Sequence, residues 1–265
     1  MKIGFLGAGA MGGAILDGSM KAGVLKADDV YVYDIVETTR EKYKAAGCHV
    51  VSNNEELGKA VDMVVLAVKP QYAAGALAEL KNSIDGKAAL SIMAGKTVAQ
   101  VKDMIDGNIR VLRIMPNTPA LVSAGAFACD AATDFTAEEK AFAQKMLESI
   151  GIVEWMPENL INTACGLSGA GPAYVAVMIE ALADGGVVKG LPRATAMKLA
   201  AQTVYGTAQL IMETGMHPGQ VKDMVCSPGG NTIVGIKTME EGGVRAALID
   251  TVVNSTNRSE ELSHV

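Results

Sequence analysis

Short apolar runs alternate with amphipathic segments through the first half of the chain. Each apolar run ends at a glycine, proline or polar residue, and a segment with helical spacing of its apolar positions follows. Apolar runs of this kind are typical of strands that are covered on both faces. The pattern therefore predicts a doubly wound parallel sheet. Its predicted strands are 2–6, 29–34, 62–70, 88–95 and 109–117.

The strand pattern stops near residue 155, where "GIVEWMPEN" closes a strand with a proline turn. Only helical segments follow, on either side of a break at "GLSGAGP". The longest of them begins near Pro192 and ends at Gly215, the usual order of proline and glycine at helix ends. We therefore expect an α/β, Rossmann-like dinucleotide-binding domain over 1–155 and an all-α domain over 156–265.

The helix predicted at 172–183 is apolar on every side, which is typical of a buried helix. In a domain of about 105 residues this favours burial against a second subunit, with a monomeric bundle core as the alternative. Glu180 and Asp184 interrupt the apolar stretch. The sequence thus predicts a segment too short and too charged to span a bilayer.

Composition narrows the classes of partner. The 265 residues carry a formal net charge of −6, which offers no basic surface for nucleic acid. The chain has four cysteines without metal-ligand or disulfide spacing, namely Cys48, Cys129, Cys165 and Cys226. We expect a cytoplasmic protein with reduced thiols, no metal, and no membrane or nucleic-acid partner.

A glycine fingerprint follows the first predicted strand. Gly7, Gly9 and Gly12 match G-x-G-x-x-G between a strand and a helix. The first glycine permits a tight turn, the second lets a pyrophosphate approach the backbone, and the third lets helix and strand pack closely. Asp34 ends the second strand, 22 residues beyond Gly12, where an acidic side chain binds the ribose 2′-OH.

Ligands of doubly wound sheets bind outside the carboxyl ends of the strands. "AVKP" brings Lys69 and Pro70 to one such end, and "IMAG" brings Ala94 to another. "MPNTP" forms a loop made rigid by two prolines, which presents Asn117 and Thr118 to a ligand ring. For the prolines taken singly, a plain loop after a strand is an equally good interpretation.

A second glycine-rich stretch, "SPGGNT", lies between predicted helices at 227–232. Gly229 and Gly230 expose successive N–H groups at a helix start, which is typical of a carboxylate-binding nest. Ser227 and Thr232 add hydroxyl groups. The alternative is an interhelical turn capped by Asn231 or Thr232, and we expect both roles together.

The missing catalytic groups constrain the substrate. An alcohol or ketone substrate needs a proton-transferring group, commonly His or Lys. Of three histidines, His49 starts a strand and His217 caps a helix, while His264 is near the chain end. The helical half offers no lysine where a hydroxyacid-type base would be. A cyclic imine enters already protonated, so it needs only a hydride donor, a carboxylate anchor and a hydrogen-bond partner at nitrogen.

These motifs together resemble the pyrroline-5-carboxylate reductase family over essentially the whole chain. The motifs are "GFLGAGAMG", "AVKP", "MPNTP", "GLSGAGPAY", "ALADGGVVKGLPR", "HPGQVKD" and "SPGGNT". The resemblance implies NADPH- or NADH-dependent reduction of 1-pyrroline-5-carboxylate to L-proline, the last step of proline biosynthesis. It also implies a homodimer of interlocked helical domains that assembles further into a decamer.

The resemblance also assigns site residues. Ser227, Asn231 and Thr232 match the family's substrate-carboxylate loop, with the Thr232 hydroxyl reaching the ring nitrogen as the catalytic contact. Glu158 matches a glutamate near the substrate. The matches to cofactor contacts are Leu6, Gly7, Ala8, Gly9, Ala10, Met11, Asn54, Val68, Lys69, Pro70 and Ala94.

Two alternatives stay open. One is a β-hydroxyacid or coenzyme-F420-type reductase of the same fold, and the other is a non-catalytic nucleotide-binding protein. Within the main interpretation, Asp34 stands where many relatives carry a small hydroxyl residue. It favours use of NADH at least as well as NADPH, unless Arg40 offsets the repulsion of a 2′-phosphate.

Overall fold

A computed structural model describes residues 1–263 of the chain. Within that range the strands form a single sheet in the order β3-β2-β1-β4-β5-β6-β7-β8. Strands β1 to β6 are parallel, β7 pairs antiparallel with β6, and β8 pairs parallel with β7. The strands are β1 Ile3–Leu6, β2 Val30–Tyr33, β3 His49–Val50, β4 Met63–Leu66, β5 Ala88–Ser91, β6 Arg110–Met115, β7 Gly125–Asp130 and β8 Gly151–Met156.

Helices follow the parallel strands in turn and then continue alone to the end of the described chain. They are α1 Ala10–Lys21, α2 Glu37–Ala45, α3 Asn54–Ala60, α4 Pro70–Ala78, α5 Val98–Ile105, α6 Ala137–Glu148, α7 Ile161–Ala164, α8 Gly171–Val188, α9 Arg193–Thr214, α10 Pro218–Val225, α11 Asn231–Glu241 and α12 Val244–Ser263. The predicted fold class, a doubly wound sheet followed by helices, is confirmed. The antiparallel strand β7 was not predicted.

Both faces of the sheet are covered, which explains the continuous apolar runs. Phe5 and Leu6 are neighbours in β1, but their side chains belong to two different apolar clusters. Successive side chains of a strand point to opposite faces, so each cluster occupies one face. The predicted strands run several residues too long at their carboxyl ends. At β4, for example, Lys69 has left the strand to cap α4, and Pro70 is that helix's first residue.

The chain divides into two compact units, and the division differs from the predicted boundary at 155. The first unit comprises 1–170 and the C-terminal segment from Asn254, and the second comprises 171–253. Residues just after 155 stay with the sheet because Ile161 is fully buried in a cluster with Met115 and Ala128.

The second unit consists of helices with little buried surface of their own. Helices α8 and α9 pack through the small residues Ala183, Ala196 and Ala200. Their other faces leave large apolar side chains exposed, such as Val177 at 64% and Val188 at 82%. The predicted all-round apolar helix is therefore present, but the single chain does not bury it.

The predicted break at "GLSGAGP" is bridged by helical turns. A π-helical turn, Cys165–Gly169, is closed by the Ala170 N–H donating to the Cys165 carbonyl at 2.8 Å, and α8 follows. The helical run Glu158–Val188 has 31 residues and contains an 18-residue window of mean hydropathy 1.3, so it is long and apolar enough to cross a membrane by length and composition. The segment predicted from Pro172 onwards is only the second part of this run, and its failure to span a bilayer stays a prediction.

Candidate functional site

The glycine fingerprint lies where the strand order reverses, between β1 and β4. Gly7 has φ +88°, and a Cβ there would lie 2.8 Å from the Ala67 carbonyl oxygen, in the chain that leaves β4. A Cβ on Gly12 would lie 2.5 Å from the Gly7 carbonyl oxygen. Both glycines are thus required by the fold itself, because a side chain at either position would collide with backbone.

Gly9 differs, because a Cβ built there would meet no atom of the described residues within 4 Å. Gly9 is the N-cap of α1, no side chain caps this helix, and its first turn has no acidic residue. Hydrogen bonding within the helix begins with the Gly13 N–H, which donates to Gly9. The N–H groups of Ala10, Met11 and Gly12 are therefore free for an anion beside open space. This cradle fits the pyrophosphate of a dinucleotide.

Asp34 follows β2 directly and is only 8% exposed. Its Oδ2 accepts the backbone N–H of Ala8 at 2.8 Å, and its Oδ1 accepts that of Val36 at 2.9 Å. The guanidinium of Arg40 donates to the Asp34 carbonyl at 2.6 Å. Asp34 therefore fixes the glycine loop, and a cation lies at the same strand end. Binding of the ribose by Asp34 stays a prediction.

The other predicted cofactor contacts surround the carboxyl ends of β4 and β5. Lys69, Pro70 and Ala94 are exposed, Val68 is half-buried, and Leu6 is buried in β1. Asn54 is the first residue of α3 and 4% exposed. Its Nδ2 donates to the Ala76 carbonyl at 3.1 Å, and its Oδ1 has no partner within the described chain. An amide oxygen without a partner is consistent with a ligand contact.

Asn117 lies in the loop after β6 and is 8% exposed. Its Oδ1 accepts the Ala126 N–H at 2.8 Å, and its Nδ2 donates to the Ser168 carbonyl at 3.1 Å. The amide thus joins β7 to the π-helical turn, so it is not presented to a ring as expected. Thr118, the next residue, is exposed.

The "SPGGNT" stretch forms a turn directly before α11. The Gly230 N–H donates to the Ser227 carbonyl at 3.0 Å across Pro228 and Gly229, whose φ of +69° fits the third position of a type II turn. A Cβ on Gly230 would lie 2.3 Å from the Ser227 Oγ and 3.2 Å from the Ser227 carbonyl oxygen, so a larger residue there would displace the Ser227 hydroxyl.

The adjacent glycines thus end a turn and do not interrupt a helix. Gly230 itself is the N-cap of α11, without any side-chain cap. The expectation that Asn231 or Thr232 caps the helix is wrong, because both lie inside its first turn. Asn231 is exposed and Thr232 is half-buried. The first N–H groups of α11, with the hydroxyls of Ser227 and Thr232 alongside, are available to a carboxylate.

Glu158 lies in the first unit, in a short helical turn after β8. Its Oε1 accepts the Val98 N–H at the start of α5 at 2.8 Å, and Arg113 approaches the same oxygen at 3.3 Å. Arg113 is 2% exposed and was not among the predicted site residues. A charged residue inside the apolar run of β6 was the signal that could have identified it.

Two of the three histidines have the structural roles that were predicted for them. His217 caps α10 as predicted, with its Nδ1 accepting the Gly219 N–H at 3.1 Å. His49 starts β3 and stacks on Tyr31 at 4.6 Å. His264 lies outside the described residues. Over the described range, no group of three His, Cys, Asp or Glu side chains could hold a metal ion, and all four cysteines are free thiols.

Two family models match the chain. The model described as NADP oxidoreductase, coenzyme F420-dependent, matches residues 2–95. The model described as pyrroline-5-carboxylate reductase dimerisation matches residues 158–262. The first covers the glycine fingerprint, and the second covers both Glu158 and the "SPGGNT" turn.

Full-length relatives carry the same name. The chain is 41% identical over 263 residues to the pyrroline-5-carboxylate reductase of Methanosarcina acetivorans, covering 98% of this chain and 97% of that protein. It is similar to the Coxiella burnetii pyrroline-5-carboxylate reductase structure, with a TM-score of 0.92, 32% identity and coverage of 98% of both chains. The Plasmodium falciparum pyrroline carboxylate reductase structure with NADP bound has a TM-score of 0.88 and 30% identity, covering 99% of this chain and 98% of that one.

Proposed function

The chain belongs to the pyrroline-5-carboxylate reductase family, and on that premise we propose how its residues carry out the reaction. It is an oxidoreductase that reduces 1-pyrroline-5-carboxylate to L-proline, the step that completes proline synthesis. When bound, NAD(P)H supplies the hydride that adds to the ring carbon of the C=N bond. The alternatives, a β-hydroxyacid or F420-type reductase and a non-catalytic nucleotide-binding protein, are not favoured.

The glycine loop is the proposed cofactor-binding element. The free N–H groups at the start of α1 bind the pyrophosphate, and the open space at Gly9 lets it approach. The exposed residues at the ends of β4 and β5 line the rest of the cofactor, with Asn54 contributing its unpaired Oδ1. Asp34 faces the ribose next to Arg40.

The turn at 227–232 is the proposed substrate-binding element, and one observation carries this assignment. Helix α11 has no side-chain cap and no acidic residue in its first turn, and it follows a turn in which Gly229 has φ +69°, a conformation that favours glycine. Its N–H groups and the Ser227 hydroxyl bind the substrate carboxylate. The Thr232 hydroxyl donates or accepts a hydrogen bond at the ring nitrogen, which changes hybridisation as the hydride adds.

Glu158 is proposed to act near the substrate through its second carboxylate oxygen, because Oε1 already serves Val98 and Arg113. A residue in that position is held in one orientation, which suits electrostatic stabilisation of a protonated imine.

The dimerisation model at 158–262 and the exposed apolar faces of α8 and α9 support a homo-oligomer. We propose a homodimer that assembles further into a decamer, and we keep the boundary of the dimerisation domain near residue 155. The four free thiols and the net charge of −6 support a cytoplasmic location without nucleic-acid partners.

The test is a spectrophotometric assay of NAD(P)H oxidation with 1-pyrroline-5-carboxylate, with the product identified as L-proline. A β-hydroxyacid assayed in the oxidative direction serves as the competing substrate class. Turnover of the imine alone supports the proposal. Absence of turnover with either cofactor, from a folded protein that binds NAD(P)H, would reject it.

A further inference from the structure

The loop between β5 and α5, residues 92–97, carries Ala94, one of the proposed cofactor contacts. Two distant segments of the first unit hold the helix that follows it. The Glu158 carboxylate accepts the Val98 N–H at 2.8 Å, and the Gln100 Nε2 donates to the Ser263 carbonyl at 3.0 Å. Gly95 has φ +70°, and a Cβ there would lie 3.4 Å from the Leu262 carbonyl oxygen. The last turn of α12 therefore packs directly on this loop.

Arg113 connects the two segments. Its Nη1 lies 3.3 Å from the Glu158 Oε1, and its Nη2 donates to the Asn162 Oδ1 at 2.9 Å. Asn162 in turn donates to the Ser263 Oγ at 3.2 Å. The planar guanidinium thus holds two residues four positions apart, which lie on one side of a helical turn.

This arrangement is unusual for a residue that serves stability alone. Arg113 is 2% exposed, and its Nε has no hydrogen-bond partner within the described chain. Buried ion pairs are frequently no more stable than apolar residues of similar volume. Apolar side chains already fill most of β6, so packing by itself does not require a charge at this position.

We propose that Arg113 is a positioning residue for the cofactor: it holds Glu158 and Asn162, and through them it fixes the 92–97 loop against the last turn of α12. The proposal rests on the proposed function in one respect, namely that Ala94 contacts the nicotinamide cofactor. Arg113 itself is not placed in contact with cofactor or substrate.

Arg110 provides a matched control on the same strand. Its guanidinium donates to both oxygens of Glu139, at 2.8 and 2.6 Å, at the first residue of β6. Arg113→Met and Arg110→Met each remove a β6 arginine from its ion pair with a glutamate. Both substitutions are therefore expected to lower the melting temperature. Only Arg113→Met is expected to change cofactor binding.

The measurement is fluorescence titration of the full-length protein with NADH and with NADPH in the absence of substrate. We expect Arg113→Met to weaken binding of both cofactors about tenfold, the effect of one or two displaced hydrogen bonds. Arg110→Met should stay within about twofold of the wild type. Arg113→Lys should fall between, since one ammonium cannot serve Glu158 and Asn162 in the bidentate geometry.

If Arg113→Met lowers the melting temperature but leaves the affinity for NADH and NADPH unchanged, the proposal is overturned, and Arg113 only stabilises the fold. Equal losses in Arg113→Met and Arg110→Met would overturn it as well. If Arg113→Met does not fold, Asn162→Ala keeps the Arg113–Glu158 pair but removes the bonds of Asn162 to Arg113 and to Ser263, and it must weaken cofactor binding in the same assay. The titration measures cofactor binding without turnover, so it tests the role of Arg113 independently of the reaction. A wild type that binds NAD(P)H but does not reduce the imine would reject the proposed function and not the role of Arg113.

Discussion

The carboxylate of Asp34 accepts the backbone N–H of Ala8 at 2.8 Å, so the residue after β2 holds the second residue of the glycine loop. Its other oxygen accepts the Val36 N–H. Two backbone groups thus fix the carboxylate in place. The carboxylate therefore repels a 2′-phosphate that binds at this strand end. The Arg40 guanidinium, which donates to the Asp34 carbonyl, attracts the same phosphate.

From this geometry we expect NADH to be used at least as well as NADPH. Asp34→Ser should raise the NADPH-to-NADH ratio of kcat/KM about tenfold or more, because it removes a charged acceptor near the ribose. Asp34→Asn, which keeps an acceptor for the Ala8 N–H but no charge, should shift the ratio in the same direction with a smaller loss of melting temperature. If the wild type strongly prefers NADPH and neither substitution changes the NADPH-to-NADH ratio of kcat/KM, Asp34 does not bind the ribose.

A second prediction concerns Gly7, where a side chain would collide with backbone, and Gly9, where a Cβ would have free space. Gly9→Ala should weaken NAD(P)H binding about tenfold or more while leaving the melting temperature within a degree or two, because the added methyl meets no atom of the described residues. Gly7→Ala should instead lower the melting temperature, because it places a Cβ at φ +88° and 2.8 Å from a carbonyl oxygen. If Gly9→Ala binds NAD(P)H as tightly as the wild type, the pyrophosphate does not bind at Gly9.

Much of this fold could be predicted from local pattern. Apolar runs, the glycine fingerprint and the proline and glycine at the ends of α9 are local signals, and the structure confirms the elements that they predict. The place of Asp34 at the end of β2 was predicted from the same local pattern, while its contact with the ribose stays a prediction. The turn at 227–232 was predicted as well, because adjacent glycines are a local turn signal, and Gly229 has the φ of +69° that favours glycine.

The remaining features depend on contacts distant in sequence. The Arg113 network joins residues up to 150 positions apart, from Arg113 through Asn162 to Ser263, and no local pattern contains it. Asn117 was predicted to face a ring because two prolines surround it, but tertiary partners on β7 and the π-helical turn engage its amide. The strand β7 was missed because it pairs antiparallel with β6 and no α-helix separates the two, which breaks the alternation that identified the others.

Thr232 is the proposed catalytic contact, and its hydroxyl can be removed with little structural effect because it caps nothing. Thr232→Ala should lower kcat roughly ten- to a hundredfold, the effect of one hydrogen bond to a charged group. Cofactor affinity should be unchanged. Thr238→Ala, on the same helix with its hydroxyl bonded to the Val234 carbonyl, is the control and should retain wild-type rates. Unchanged steady-state rates in Thr232→Ala would remove that hydroxyl from the mechanism.

Asp130 at the end of β7 should make stability depend on pH. Burial, the largest cause, raises the pKa of Asp130 above its ordinary value of 3.8; the Ala132 N–H opposes the shift, and the charge of Glu158 adds to it. The folded chain therefore binds this proton more tightly than the unfolded chain. Stability from this group is lost as pH rises from 3.8 through the higher folded pKa.

Asp130→Asn should accordingly raise the melting temperature near neutral pH, with the gain shrinking as pH falls towards 3.8. Asp134→Asn is the control of opposite sign. Burial acts to raise the pKa of Asp134, but hydrogen bonds from Lys102 and the Val111 N–H lower it overall, so this change should destabilise the protein at neutral pH. Melting curves at a series of pH values check both, and a lower melting temperature for Asp130→Asn at neutral pH would contradict the assignment.

The apolar surface of α8 predicts that the active unit is at least a dimer. Val177 and Leu182 are 64% and 54% exposed in the single chain, within the segment that the dimerisation model matches. Val177→Glu should place a charge in the subunit interface, shift sedimentation towards the monomer and lower activity in parallel. Ala141→Glu, on the exposed side of α6 outside that segment, adds the same single charge and should leave both unchanged. A fully active 27.5 kDa wild-type monomer would defeat the prediction, and recovery of the protein with membranes would assign the α8 surface to lipid instead.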